Sequence, residues 1–250
     1  MKTILVYQMS KVASSTVFFT LKNYFNLESK DAIVCPTDNK TDDYNPDGIL
    51  KIYHAHCSSE FSLNLIDRCR NGRVDVITLV RDPIARNISN FFESPLWGLN
   101  NPNTNKDISD QGVDMLINQF FDEYDHDLPI TWFDNEFNKC LKVDMYEYDC
   151  TSPYTVINKN NKFNLLVLRA ENLTTSLEPA LREFWNDNKA NIDIVTDNVT
   201  KTKHNGSLYQ RFLDKISVPQ DYIDRMYKTR FMTNFYTTDE IQGFIDRWTK

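Results

Sequence analysis

The stretch that decides the fold is Thr3-Ile4-Leu5-Val6-Tyr7-Gln8-Met9-Ser10-Lys11-Val12-Ala13-Ser14-Ser15-Thr16. It opens as an apolar, β-prone run. Beyond the small hydroxyl residues, Val17, Phe18, Leu21, Tyr24 and Phe25 recur at helical spacing. The pattern predicts a buried strand over about 2–8 that turns directly into an amphipathic helix over about 14–26. Such a turn offers unsatisfied backbone N–H groups to an anion, and the helix dipole and the Lys11 charge favour the same occupant. Lys11, Val12, Ala13, Ser14, Ser15 and Thr16 therefore read as a phosphate cradle. A Walker A loop is excluded, because that pattern needs glycines and a late lysine. Taken alone, an ordinary surface turn with an incidental lysine explains the motif as well.

A second segment of the same kind shifts the balance. Val74-Asp75-Val76-Ile77-Thr78-Leu79-Val80 is strongly β-prone and closes on Arg81-Asp82-Pro83. Asp82 suits an N-cap and Pro83 the first helical position, which predicts a helix from about Pro83 to Phe92. Arg81 then sits at the carboxyl end of a strand, and Ser89 sits in the second turn of the following helix. Arginine presents a planar fork suited to phosphate, and serine a neutral donor. Between the two segments, Leu50-Lys51-Ile52-Tyr53-His54-Ala55-His56 reads as a strand ending in two histidines on one face. Chemistry in α/β sheets collects at the carboxyl ends of strands. An imidazole with an ordinary pKa near ~6.5 suits proton abstraction from a hydroxyl. A metal pair is the other reading, but no third ligand at a recognisable spacing accompanies the histidines.

These motifs carry a resemblance. Lys11-Val12-Ala13-Ser14-Ser15-Thr16 resembles the 5′-phosphosulfate loop of sulfotransferases that use 3′-phosphoadenosine 5′-phosphosulfate (PAPS). Those loops have glycine where this chain has Ala13, so a tight positive-φ turn is expected at a different place. Arg81 with Ser89 resembles the sulfotransferase 3′-phosphate site. Tyr53-His54-Ala55-His56 resembles a Tyr-His-Gly-His segment of uronosyl 2-O-sulfotransferases whose second histidine is the catalytic base. Asn164 to Leu173 resembles a late strand and turn common in sulfotransferases. Thr131 to Phe137, Lys142 to Tyr146, Tyr222 to Tyr227 and Phe235-Tyr236 resemble bacterial capsular polysaccharide synthesis proteins within the same group.

The resemblance implies an α/β fold, a P-loop-like three-layer sandwich with a mainly parallel sheet. It also implies a PAPS-dependent carbohydrate O-sulfotransferase acting on a poly- or oligosaccharide, with PAP as product and no metal. His56 would be the base, with His54 orienting it or the acceptor. Lys11 would act on the leaving group, Ser15 and Thr16 on the 5′-phosphate, and Arg81 and Ser89 on the 3′-phosphate. Lys203 in the Lys201–Gly206 loop would close over the nucleotide. Two readings from other classes stay open: a P-loop kinase or NTPase, and a non-catalytic glycan- or nucleotide-binding module on the same fold.

Composition agrees with a globular enzyme. The chain has 250 residues, 41% hydrophobic and 25% charged, enough for one domain with a sizeable core whose part beyond about 172 is mainly helical. A net charge of −7 argues against nucleic acid or an anionic membrane surface as partner. A polyanionic donor then needs local positive charge, for which Lys11, Arg81, Arg86, Lys201 and Lys203 are candidates. The five cysteines form no Cys-x-x-Cys, so reduced thiols in a cytoplasm are expected. No apolar run approaches ~18 residues and no signal peptide is visible, which fits a cytoplasmic, bacterial enzyme. Further strands are expected near 31–35 and 163–169. Further helices are expected near 58–70, 108–124, 130–139, 172–188 and 205–216, with several more after Pro219. The aromatic-rich C-terminus reads mainly as core. Cys35–Gly48 and Ser94–Asp107 are candidate acceptor-binding loops.

Overall fold

The structure is a computed structural model that describes residues 2–28, 31–34, 50–55, 74–93, 108–159, 163–187, 191–195 and 206–249. The expected helix at 58–70 and both candidate acceptor loops lie outside these residues. Among the described residues the strands are β1 (Lys2–Tyr7), β2 (Ala32–Val34), β3 (Leu50–Ala55), β4 (Val74–Val80), β5 (Tyr154–Lys159) and β6 (Phe163–Arg169). The helices are α1 (Ser14–Tyr24), α2 (Pro83–Glu93), α3 (Asp110–Glu123), α4 (Leu128–Trp132), α5 (Asn138–Leu141), α6 (Leu173–Trp185), α7 (Gly206–Lys215), α8 (Gln220–Tyr227), α9 (Arg230–Phe235) and α10 (Thr238–Trp248).

The strands form one sheet in the order β2-β3-β1-β4-β6-β5, parallel except for β5, which runs antiparallel to β6. The chain is thus a mixed α/β protein with a mostly parallel sheet. All seven side chains of β4 are buried, as are those of Thr3 to Tyr7 in β1. A parallel strand covered on both faces selects a continuous apolar run instead of an alternating one, and that makes these strands readable. β5 departs from the sequence reading, which has no strand there. Tyr154, Thr155 and Val156 are only half-buried at the sheet edge, so the segment lacks both a continuous run and a clean alternation. Its pairing with β6 from Tyr154↔Leu168 to Lys159↔Phe163 supplies what local pattern does not.

Contacts divide the chain into two units, Met1–Arg81 with Trp132–Asp197 and Asp82–Thr131 with Asn198–Lys250. The first unit holds the sheet. Val6, His54 and Ile77 are in register across β1, β3 and β4 and share one face, and Phe18 of α1 stacks on His54 there. Tyr7 points to the other face, where Trp132 and Phe137 lie 5.3 and 6.0 Å from its ring and its hydroxyl donates to Cys140 Sγ at 3.1 Å. Helical segments therefore contact both faces near β1. The second of them is the helix expected over 130–139, with a π-helical turn inside it. α4 passes through a π-helical turn (Phe133–Phe137) into α5, and Phe133 and Phe137 are both buried. A π turn leaves no signature in apolar spacing. At the other end of the sheet, buried Asp75 accepts Asn164 Nδ2 at 2.9 Å on one oxygen and Trp185 Nε1 at 2.7 Å on the other. Those two bonds offset the cost of a carboxylate in the core.

The second unit is helical and packs around aromatic rings. Phe91 and Phe92 of α2, Phe120 of α3 and Phe212 of α7 are buried with mostly edge-on contacts. Tyr222, Tyr227, Phe231, Phe235, Tyr236 and Trp248 are also buried, in accord with the reading of the C-terminal aromatics as core. Asp82 caps α2 as expected, accepting Ile84 N–H at 3.0 Å, and it also accepts the Tyr227 hydroxyl at 2.8 Å and Trp248 Nε1 at 3.1 Å. Burial raises its pKa above the usual carboxylate value, against the pull of these donors. His126 bridges Phe120 C=O at 2.7 Å and the Tyr222 hydroxyl at 2.7 Å, and burial lowers its pKa. Asn87 donates to His126 C=O at 3.0 Å and is fully buried, so its Asn-x-Ser sequon is inaccessible. No helix of the described residues is long and apolar enough to cross a membrane.

Candidate functional site

Three adjacent strands bring the candidate residues of the first unit together. β1 lies between β3 and β4, so the chain leaves β1 toward β2 and β3 on one side and reaches β4 on the other. A sheet splits at such a point, and ligands settle at the carboxyl ends of the strands there. Residues 8–13 occupy that end of β1, His54 is the penultimate residue of β3, and Arg81 directly follows β4.

The loop is held in an uncommon backbone shape. Lys11 has φ 69° and Ala13 φ 64°, both left-handed. A positive-φ turn was expected away from position 13 because the residue there is not glycine. The structure corrects this: Ala13 itself makes the turn. Alanine's single methyl makes it tolerable, at roughly 1–2 kcal/mol. Ala13 is the residue before α1, and it ends the strand-to-helix turn so that the N–H groups of Ser14 and Ser15 open the helix without intrahelical acceptors. Thr16 N–H is turned inward to Ala13 C=O at 3.1 Å. Replacing Ala13 by glycine removes the left-handed cost but adds unfolded-state entropy, for an expected net gain of about 0.5 kcal/mol. Ala13→Val should instead lose about 1–2 kcal/mol, since a β-branched residue fits that region worse. Urea denaturation of the three proteins checks the order Gly, Ala, Val.

Two side chains fasten this loop. Arg81 Nη1 donates to Lys11 C=O at 2.9 Å, joining motifs 70 residues apart. His54 Nε2 lies 2.9 Å from Ser14 Oγ, and its ring stacks on Phe18 at 5.2 Å and 22°. Ser14 and Val12 are buried, Ser15, Lys11 and Arg81 half-buried, and Thr16 nearly enclosed at 8% exposure. Lys11, Val12, Ala13, Ser14, Ser15, Thr16, His54 and Arg81 thus form one neighbourhood. Ser89 lies half-buried in the second turn of α2, in the second unit. His56 and Lys203 lie outside the described residues, as does Lys201. Arg86, expected as part of the positive field, is 1% exposed and donates to Asn87 Oδ1 at 3.0 Å and to the Tyr124 hydroxyl at 3.1 Å. It is an interior residue of the second unit, because the apolar face of α2 carries it inward.

Sequence reasoning missed the His54–Ser14 contact, although the shared face of Val6 and His54 contains its cause. Pairing β3 beside β1 sets His54 under the start of α1. No signal in either segment alone predicts that pairing.

Comparison with known proteins bears on the later part of the chain. No curated protein matches. Residues 105–237 match the family described as "Putative capsular polysaccharide synthesis protein". The matched stretch begins after Lys11, His54 and Arg81 and includes α3 to α9. It covers just over half of the 250 residues, and the chain belongs to this family of capsular polysaccharide synthesis proteins.

Proposed function

We propose that this protein is a PAPS-dependent O-sulfotransferase with a P-loop-like three-layer fold, acting on a hydroxyl of a surface poly- or oligosaccharide. The observation that carries the reading is the 2.9 Å bond from Arg81 to the Lys11 carbonyl. It joins two segments that each resemble a phosphate motif, at the carboxyl ends of neighbouring parallel strands. Membership in a capsular polysaccharide family supports a glycan as acceptor.

In this reading the N–H groups of Ser14 and Ser15, with the hydroxyls of Ser15 and Thr16, take the 5′-phosphate of the donor. The Arg81 fork takes phosphate oxygens with the N–H groups left beyond its bond to the loop. The acceptor oxygen attacks sulfur in line and forms the new S–O bond. The bond from sulfur to the bridging oxygen breaks, and PAP leaves with that electron pair. Lys11 stabilises the charge growing on the bridging oxygen. His56, which follows the end of β3 in sequence, receives the acceptor's hydroxyl proton and returns it to solvent.

The test is a thermal shift series with PAP, ATP and AMP. Ligand binding the folded state stabilises as RT ln(1 + [L]/Kd), about 2.7 kcal/mol at a hundred times Kd. PAP should raise Tm clearly, and ATP or AMP, which lack a 3′-phosphate, should do little. Arg81→Ala should weaken the PAP shift more than Arg81→Lys, since lysine keeps the charge but loses the fork. Equal shifts with PAP and ATP would sink the donor assignment.

A further inference from the structure

His54 has two roles open to it. As a base it would take a proton from the acceptor, and as a support it would act on the loop that meets the donor. Its surroundings decide between them. The ring is 5% exposed, its face lies on Phe18, and Nε2 reaches Ser14 Oγ at 2.9 Å. Ser14 and Phe18 are four apart, on consecutive turns of α1, so one ring grips the helix start at two points. Ser14 is itself 4% exposed, and its hydroxyl lies against His54 Nε2. The grip falls where the backbone needs it, since Ser14 directly follows left-handed Ala13.

We propose that His54 is a positioning residue for the anion-binding loop. It anchors Ser14 and thereby fixes the N–H groups that open α1, and it takes no proton from the acceptor. Arg81 fastens the other left-handed residue, Lys11, through its carbonyl. The loop is consequently built before a ligand arrives, and the ordering cost is not charged to binding. This inference rests on the reading that the loop receives a phosphate-bearing donor.

The test is calorimetric titration of PAP into the wild type, His54→Ala, His54→Gln, Ser14→Ala and the His54→Ala/Ser14→Ala double variant. His54→Ala should raise Kd about tenfold, the worth of one hydrogen bond. His54→Gln should recover most of that, because its amide nitrogen reaches about as far as Nε2. Ser14→Ala should weaken PAP similarly, and the double variant should be no worse than either single one, the signature of a shared contact. An unchanged Kd in His54→Ala, or strictly additive losses, overturns the proposal. A variant that only loosens the fold would lower Tm without this coupling, and Ser14→Ala keeps the histidine ring in place as a milder probe. ATP and pyrophosphate are titrated alongside. If the wild type prefers one of these to PAP, the donor reading fails, and the same cycle run with that ligand still tests His54. Wild type that binds none of the three overturns both.

Discussion

Lys11→Ala is expected, under the proposed sulfotransferase function, to slow sulfuryl transfer by roughly two to three powers of ten, the range for removing one preorganised stabiliser of transition-state charge. The reason is position. Lys11 is half-buried in the loop that precedes α1, and its left-handed backbone is fastened through its carbonyl by Arg81. The backbone part of that arrangement survives truncation at Cβ, so the loop keeps the N–H groups proposed to hold the donor phosphate. PAP affinity should therefore fall much less than turnover, which is read as PAP released from PAPS with polysaccharide acceptor present. Parallel losses in affinity and turnover would make Lys11 a binding residue with no particular part in the chemistry. Lys11→Arg should recover part of the rate, since the charge is retained in a different shape.

Asp82→Ala is expected to destabilise the protein by roughly 4 kcal/mol, the largest stability effect among the residues described here. The substitution strips the N-cap of α2, worth about 1 kcal/mol. It also leaves the Tyr227 hydroxyl and Trp248 Nε1 as buried donors without their acceptor, at roughly 1–3 kcal/mol each. Relief of the carboxylate's own burial cost offsets part of that sum. Asp82→Asn should cost less, about 2 kcal/mol, because its oxygen still serves Ile84 and Tyr227 while its amide group meets the Trp248 donor. Urea denaturation of the three proteins distinguishes these outcomes. A loss under 1 kcal/mol for alanine would mean that α8 and α10 do not depend on this carboxylate.

The legible parts of the fold share one physical cause. β1 and β4 are short apolar runs because parallel central strands are covered on both faces, and α2 announces itself through Asp82-Pro83. β5 was illegible because a half-buried edge strand owes its existence to β6. Within the site, residue type and spacing are enough to propose which residues would carry phosphate chemistry. They do not show that Ala13 adopts the turn that a glycine marks elsewhere, because a non-glycine left-handed residue is held by tertiary bonds. Arg81 to Lys11 and His54 to Ser14 are such bonds, and both join segments brought together only by sheet pairing. Arg86 misled for the converse reason: charge in a sequence predicts exposure until a helix face carries it inside.

The interleaving of the two units has a consequence for synthesis on the ribosome. Each unit is assembled from an early and a late stretch of chain, so neither is complete when the other begins. β4 emerges by residue 80, but its partner β6 spans Phe163–Arg169. At about 5–20 residues per second, the Val-Ile-Leu-rich edge of β4 waits roughly 5–20 s for that partner. A long apolar edge is a template for wrong pairing, so this interval exposes the nascent chain to mispairing. By the same logic, a stop codon after residue 197 would strand α2 and α3 without α7 to α10, and no single cut yields either unit whole.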